Sequence, residues 1–78
     1  MNGASTNHPA SDMALHDEIQ YALTRLEAGQ REAFLLRHVE GMSYEEISEI
    51  TGVGISALKM RVKRATARLR DLLEGVVT

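Results

Sequence analysis

Seventy-eight residues, 44% of them apolar, suffice for one small domain, which at this size buries only about 60–65% of the surface its unfolded chain exposes. The absence of cysteine excludes a disulfide framework and a thiolate zinc site, and no apolar run approaches the roughly 18 residues of a membrane span or follows a signal-peptide layout; a soluble, cytoplasmic protein is expected. The net charge of −2 conceals a segregation: residues 1–58 set three arginines against nine acids, whereas residues 59–70 hold Lys59, Arg61, Lys63, Arg64, Arg68 and Arg70 with no acid. Exposed helices ordinarily alternate sign to gain i,i+4 pairs. An unbroken basic stripe on one helix is instead the electrostatic footprint of a nucleic-acid contact, even in a chain of acidic pI.

Residues 1–11 are small and polar without periodicity, and read as a disordered lead-in or linker remnant before a domain spanning 12–78. Asp12 is placed to cap a first helix, on which Leu15, Ile19, Ala22, Leu23 and Leu26 recur at helical spacing. Gly29 marks a break. A second helix is expected from about Gln30 to Glu40, with Ala33, Phe34, Leu36 and Val39 available to a core, and Gly41 ends it. No segment alternates with period two for long enough to form a strand.

The chain is organised around residues 43–61. Ser43 with Glu46 three residues on forms a capping box, and Met42 and Ile47 stand where a hydrophobic staple places them. Ile47 and Ile50 are expected to face inward, with Glu45, Ser48 and Glu49 in water. Gly52 supplies the left-handed residue that closes the helix. A fourth helix follows from about Ile55 to Glu74, roughly 30 Å long, with Leu58, Val62, Ala65 and Leu69 as its buried stripe and Leu72 and Leu73 packing back on the first two helices. A short helix, a glycine turn and a longer helix make a helix-turn-helix; an αα-hairpin that merely packs has the same outline. The fold class is all-α: four helices with a C-terminal helix-turn-helix and no wing.

Catalysis finds little support. His8, His16 and His38 lie on the lead-in and on two different helices, with no spacing of metal ligands, phosphate loop or nucleophile motif. No cofactor and no small-molecule substrate is indicated. DNA reading fits better. Opposite the buried stripe of the fourth helix stand Ser56, Lys59, Met60, Lys63 and Arg64, with Lys59 and Lys63 one turn apart, as are Met60 and Arg64. In a helix-turn-helix this face enters the major groove. Lysine donates to guanine O6 and N7, and Met60 offers an apolar contact for a thymine methyl or simply fills surface. Arg61, Arg64 and Arg68 are placed for the DNA backbone. Ser43 and Tyr44 sit at a positive helix end suited to a phosphate, and Arg37 adds a further cation.

The run Gln30-Arg31-Glu32-Ala33-Phe34-Leu35-Leu36-Arg37-His38-Val39-Glu40-Gly41-Met42-Ser43-Tyr44-Glu45-Glu46-Ile47 resembles region 4 of sigma-70 family factors, most closely the extracytoplasmic-function (ECF) group. So do Gly52-Val53-Gly54, Leu58-Lys59-Met60-Arg61-Val62-Lys63-Arg64-Ala65 and Ala67-Arg68-Leu69-Arg70. The resemblance covers about residues 14 to 73. It implies recognition of the promoter −35 element, a GGAAC-like sequence, in double-stranded DNA, docking on the flap of the RNA polymerase β subunit, and masking by an anti-sigma factor. By the same resemblance Ser56, Lys59, Met60 and Lys63 match base-contacting positions, with Arg61 and Arg64 nearby, and Arg37, Ser43 and Tyr44 match backbone-holding ones.

The chain departs from the family in Glu27 after Leu26, where proline is frequent, and in Gly54-Ile55, where a better cap and a polar residue are common. It has no Trp and no segment matching the promoter-melting region 2. It is therefore expected to be one domain of a longer factor, binding promoter DNA weakly alone without opening it. Two other readings share these features. One is a LuxR-type response-regulator output domain. The other is a sigma-like decoy that binds an anti-sigma factor and barely touches DNA, to which the acidic half of the chain lends weight. A docking surface for polymerase or anti-sigma factor is not located by the pattern; Leu35 and Val76 or Val77 are candidates.

Overall fold

The computed structural model describes residues 9–77, with side-chain surroundings from Ala14 to Glu74. Its elements are α1 (Pro9–Thr24), α2 (Ala28–Phe34), which continues as a π-helical turn over Leu35–Val39, then α3 (Tyr44–Thr51) and α4 (Ile55–Val77). Among the described residues there is no strand. The lead-in expected over 1–11 lies outside the described residues up to position 8. Pro9–Ser11 belong to α1, which starts ahead of Asp12; proline is well suited to a first helical turn because its missing N–H would have no partner there.

α4 is the spine of the domain, and each other helix packs on it. Leu58, Val62, Ala65 and Leu69, one stripe at helical spacing, are all buried. Ala65 and Leu69 meet Ala22 and Leu26 in one cluster, with Leu23, Phe34, Leu72 and Leu73 packed around it. Leu58 and Val62 meet Ala33 and Ile47 in a second, flanked by Leu36, Met42, Tyr44 and Val53. The C-terminal half of α4 is thus held by α1 and α2, and the N-terminal half by α2 and α3.

Four apolar residues expected in the core are exposed. Ile50 is 67% exposed although Ile47 is 0%. At about 100° per residue, the inward arc of α3 is set by Tyr44, Ile47, Ser48 and Thr51, and Ile50 falls outside it. Val39, also 67% exposed, is the last residue of the π turn, which Glu40 N–H closes by reaching back to the Leu35 carbonyl (3.0 Å). A π turn holds more residues than an α turn, so later side chains drift out of phase with Ala33 and Leu36. On α1, every residue from 14 to 20 is exposed, Leu15 and Ile19 included. The apolar stripe is buried only at its end, where Ala65 and Leu69 cover it.

Gly29 is not the break. The chain leaves the helix at Arg25–Glu27, and Gly29 is the second residue of α2. A Cβ built there would stand 3.0 Å from Nη1 of Arg61. The glycine admits that guanidinium. Gly41 (φ +73°) and Gly52 (φ +76°) do occupy the left-handed region that ends helices.

Candidate nucleic-acid interface

The interface is built from the N-terminus of α3, the turn and the outer face of α4. The capping box is complete: Ser43 Oγ accepts from Glu46 N–H (3.1 Å), and Ser43 N–H donates to Glu46 Oε1 (2.8 Å). Both of these donors are consequently engaged. The Ser43 N–H is therefore occupied, and its hydroxyl proton is the donor left over. The turn is fixed by Thr51, whose Oγ1 donates to the Ile47 carbonyl (2.8 Å) and accepts from Val53 N–H (3.2 Å). Gly52 N–H returns to the Ser48 carbonyl and Leu58 N–H to the Gly54 carbonyl. With Val53 packed into the core cluster, the angle at which α4 leaves the turn is set by packing on both sides.

Ser56, Lys59, Met60, Lys63, Arg64, Arg68 and Arg70 are all exposed on α4. At about 100° per residue, Ser56, Lys59, Lys63 and Arg70 line one flank and Arg61, Arg64 and Arg68 the other, with Met60 between. The first flank borders α3, since Lys59 Nζ lies 5.8 Å from the centre of the Tyr44 ring. The second borders α2, since Arg61 is half-buried against Gly29. Arg61 is therefore the α4 cation held closest to the body of the domain. Among the described residues no carboxylate pairs with Lys59, Lys63, Arg64 or Arg68. These cations are exposed and, among the described residues, lack an internal counter-charge, an arrangement suited to a polyanion.

Arg37 joins the same surface from the π turn. Its Nη1 donates to the Met42 carbonyl (2.9 Å), and its guanidinium carbon lies 4.7 Å from the centre of the Tyr44 ring. The structure thus gathers Arg37, Tyr44 and Lys59 from three elements. That grouping is not legible in the sequence, because the phase of Arg37 depends on the π turn. His38 packs its ring on Phe34 at 4.9 Å, and His16 is an exposed residue of α1.

A groove runs along α2, lined by Ala28, Gly29, Arg31, Glu32, Leu35 and Leu36. Arg31 is anchored by a hydrogen bond from Nη1 to the Leu26 carbonyl (3.3 Å). Leu35, a docking candidate from sequence, lies in this groove; Val76 and Val77 lie outside the residues with described side chains.

The family model "Sigma-70, region 4" matches residues 16–69, which take in the end of α1, α2, α3 and most of α4. The chain belongs to the sigma-70 region 4 family. Its curated relatives include RNA polymerase sigma factors. This region 4 domain is 39% identical over 70 residues to RNA polymerase sigma factor CarQ of Myxococcus xanthus, covering 90% of the chain and 40% of that protein. It is 40% identical over 57 residues to ECF RNA polymerase sigma factor EcfG of Rhodopseudomonas palustris, covering 73% of the chain and 32% of that protein. With ECF RNA polymerase sigma factor SigE of Mycolicibacterium smegmatis it shares 39% identity over 62 residues, or 80% of the chain and 24% of that protein. The chain spans two fifths or less of the length of these curated relatives. Among the described residues no helix is long and apolar enough to cross a membrane.

Proposed function

We propose that this region 4 domain recognises the −35 element of promoters as part of an RNA polymerase sigma factor, and so directs transcription initiation. The observation that carries the reading is the outer face of α4. It bears four cations without carboxylate partners among the described residues, on a helix whose N-terminal half is fixed by the turn and by α3. In this reading α4 enters the major groove. Ser56, Lys59, Met60 and Lys63 meet base edges, and Arg64 and Arg68 run along the phosphates. Arg37, Tyr44 and the Ser43 hydroxyl hold the backbone from the start of α3. Arg61, packed on Gly29, reaches a phosphate only by leaving that contact, and is the weakest of the backbone assignments.

The polymerase contact is assigned to the groove on α2, where Leu35 and Leu36 are half-buried between Arg31 and Glu32. An amphipathic segment such as the β-subunit flap presents the complementary apolar face, and an anti-sigma factor covering that groove or the cationic face silences the domain. Both partners place it in the cytoplasm, in a role that requires no catalysis.

The test is fluorescence anisotropy against a short duplex carrying a GGAAC-like element and against a scrambled duplex, each at several salt concentrations. Preference for the element, lost in Lys59→Ala and Lys63→Ala, is the expected result. Each phosphate neutralised contributes about −0.9 to the slope of log affinity against log salt. No binding to either duplex at low salt overturns the DNA reading and favours a domain that acts through protein partners alone.

A further inference from the structure

Tyr44 stands at the first position of α3, packed against the cluster of Ala33, Ile47, Leu58 and Val62. Its ring is therefore fixed by the core. Around it sit two cations from different elements, the Arg37 guanidinium at 4.7 Å and the Lys59 ammonium at 5.8 Å from the ring centre. Both distances fall within the range at which an aromatic quadrupole attracts a cation. Arg37 is further tied by its hydrogen bond to the Met42 carbonyl. Lys59 follows Leu58, which is 1% exposed, so its backbone is also fixed. Only the long lysine side chain remains free to wander, and the ring is what limits it.

We infer that Tyr44 is a positioning residue that couples the two halves of the interface, holding Lys59 over its ring for base contact while the same ring holds Arg37 for the phosphate. The inference rests on the promoter reading above. Its physical basis is preorganisation. A lysine confined near its working position loses less freedom when it meets a base than one sampling all its rotamers. Two like charges gathered round one ring also repel one another, and a DNA strand relieves that repulsion. Removing the ring's π-face, while keeping its apolar bulk, therefore costs specificity more than fold. An exposed cation–π contact corresponds to about a two- to fivefold change in an equilibrium constant.

The experiment compares wild type, Tyr44→Phe, Tyr44→Leu, Lys59→Ala and the Tyr44→Leu/Lys59→Ala double variant on the element and scrambled duplexes. Side-chain NMR of the DNA-free proteins runs alongside. Phenylalanine keeps the ring and loses the hydroxyl; leucine keeps apolar packing and loses the quadrupole. The expected result has three parts. Tyr44→Leu lowers the element-to-scrambled preference by about two- to fivefold, Tyr44→Phe preserves that ratio while any loss of a hydroxyl–phosphate contact weakens both duplexes alike, and the leucine effect on the ratio vanishes when Lys59 is already alanine. In the free wild type and in Tyr44→Phe, the Lys59 methylene protons near the ammonium are shifted upfield by the ring. Their absence from that shifted position overturns the inference without reference to DNA, even if Tyr44→Leu fails to fold. An undiminished preference in Tyr44→Leu, or the same loss with and without Lys59, also overturns it and leaves the promoter reading standing. A wild type that binds both duplexes equally removes the promoter reading, and this role with it.

Discussion

Ile47 and Ile50 are the same residue type on the same helix, three positions apart, yet one is 0% and the other 67% exposed. Truncating each to alanine is therefore a direct test of the packing described. Ile47→Ala opens a hole between α3 and α4 beside Leu58, and such deletions cost about 2–5 kcal/mol. Ile50→Ala removes exposed methyl groups and improves helix propensity, leaving stability within about 0.5 kcal/mol. A domain of this length holds about 4–12 kcal/mol in total, so the first change consumes a large share of it. At about 4–8 °C per kcal/mol for a small domain, a loss near 3 kcal/mol lowers Tm by roughly 12–24 °C, against a few degrees for Ile50→Ala. Urea titration followed by circular dichroism at 222 nm measures both, with unchanged slope as the check on two-state behaviour. Equal losses at the two positions, or a larger one at Ile50, would refute the burial arc assigned to α3.

Three further outcomes follow from particular contacts. Ser43→Ala removes the acceptor for Glu46 N–H and is expected to lower stability by about 1 kcal/mol, read in the same urea assay; an unchanged midpoint would mean that the capping box contributes nothing. Gly52→Ala places a Cβ at φ +76° and is expected to cost about 1–2 kcal/mol, whereas Gly54→Ala, which meets open space, leaves the midpoint close to wild type. Arg68→Ala is expected to weaken binding to element and scrambled duplexes alike and to reduce the salt slope by about 0.9. A selective loss on the element would move Arg68 from the backbone to the base-reading set.

Much of this architecture is legible in the sequence because single residues carry it. The Ser43–Glu46 pair, the left-handed Gly41 and Gly52, and the period of Leu58, Val62, Ala65 and Leu69 each act through the local backbone, so their effect does not depend on knowing a neighbour. The errors share one cause. Ile50, Val39, Leu15 and Ile19 are apolar residues whose burial depends on what another helix covers, and periodicity reports the spacing of a face without its partner. Val39 adds a phase shift, because the π turn at Leu35–Val39 arises without proline or glycine within it and so leaves no mark in composition. Gly29 illustrates the converse. Read locally, a glycine breaks a helix; in three dimensions it makes room for an arginine thirty-two positions later.

The same distinction separates the parts of the interface. The cations of α4 were visible as a charge run because they lie on one helix and need no tertiary information to be counted. The surface proposed to aim them is not legible there, since it joins a π turn, a helix N-terminus and the first exposed lysine of α4 around one tyrosine ring. Charge alone supplies affinity that is sequence-independent and falls with salt. Discrimination between bases requires that a few donors be held still relative to the groove. In this domain the elements that hold them are also elements of the second core cluster, where Tyr44 packs beside Ile47 and Leu58. Under the proposed reading, stability and recognition are coupled at α3: a substitution that loosens Ile47 also releases the ring that Lys59 lies beside. Ile47→Val, a milder truncation costing about 0.5–1.5 kcal/mol, should accordingly leave the domain folded at 25 °C. It should also lower its preference for the element more than its affinity for a scrambled duplex. A uniform loss on both would show that the core sets how much of the domain is folded and nothing about how it reads.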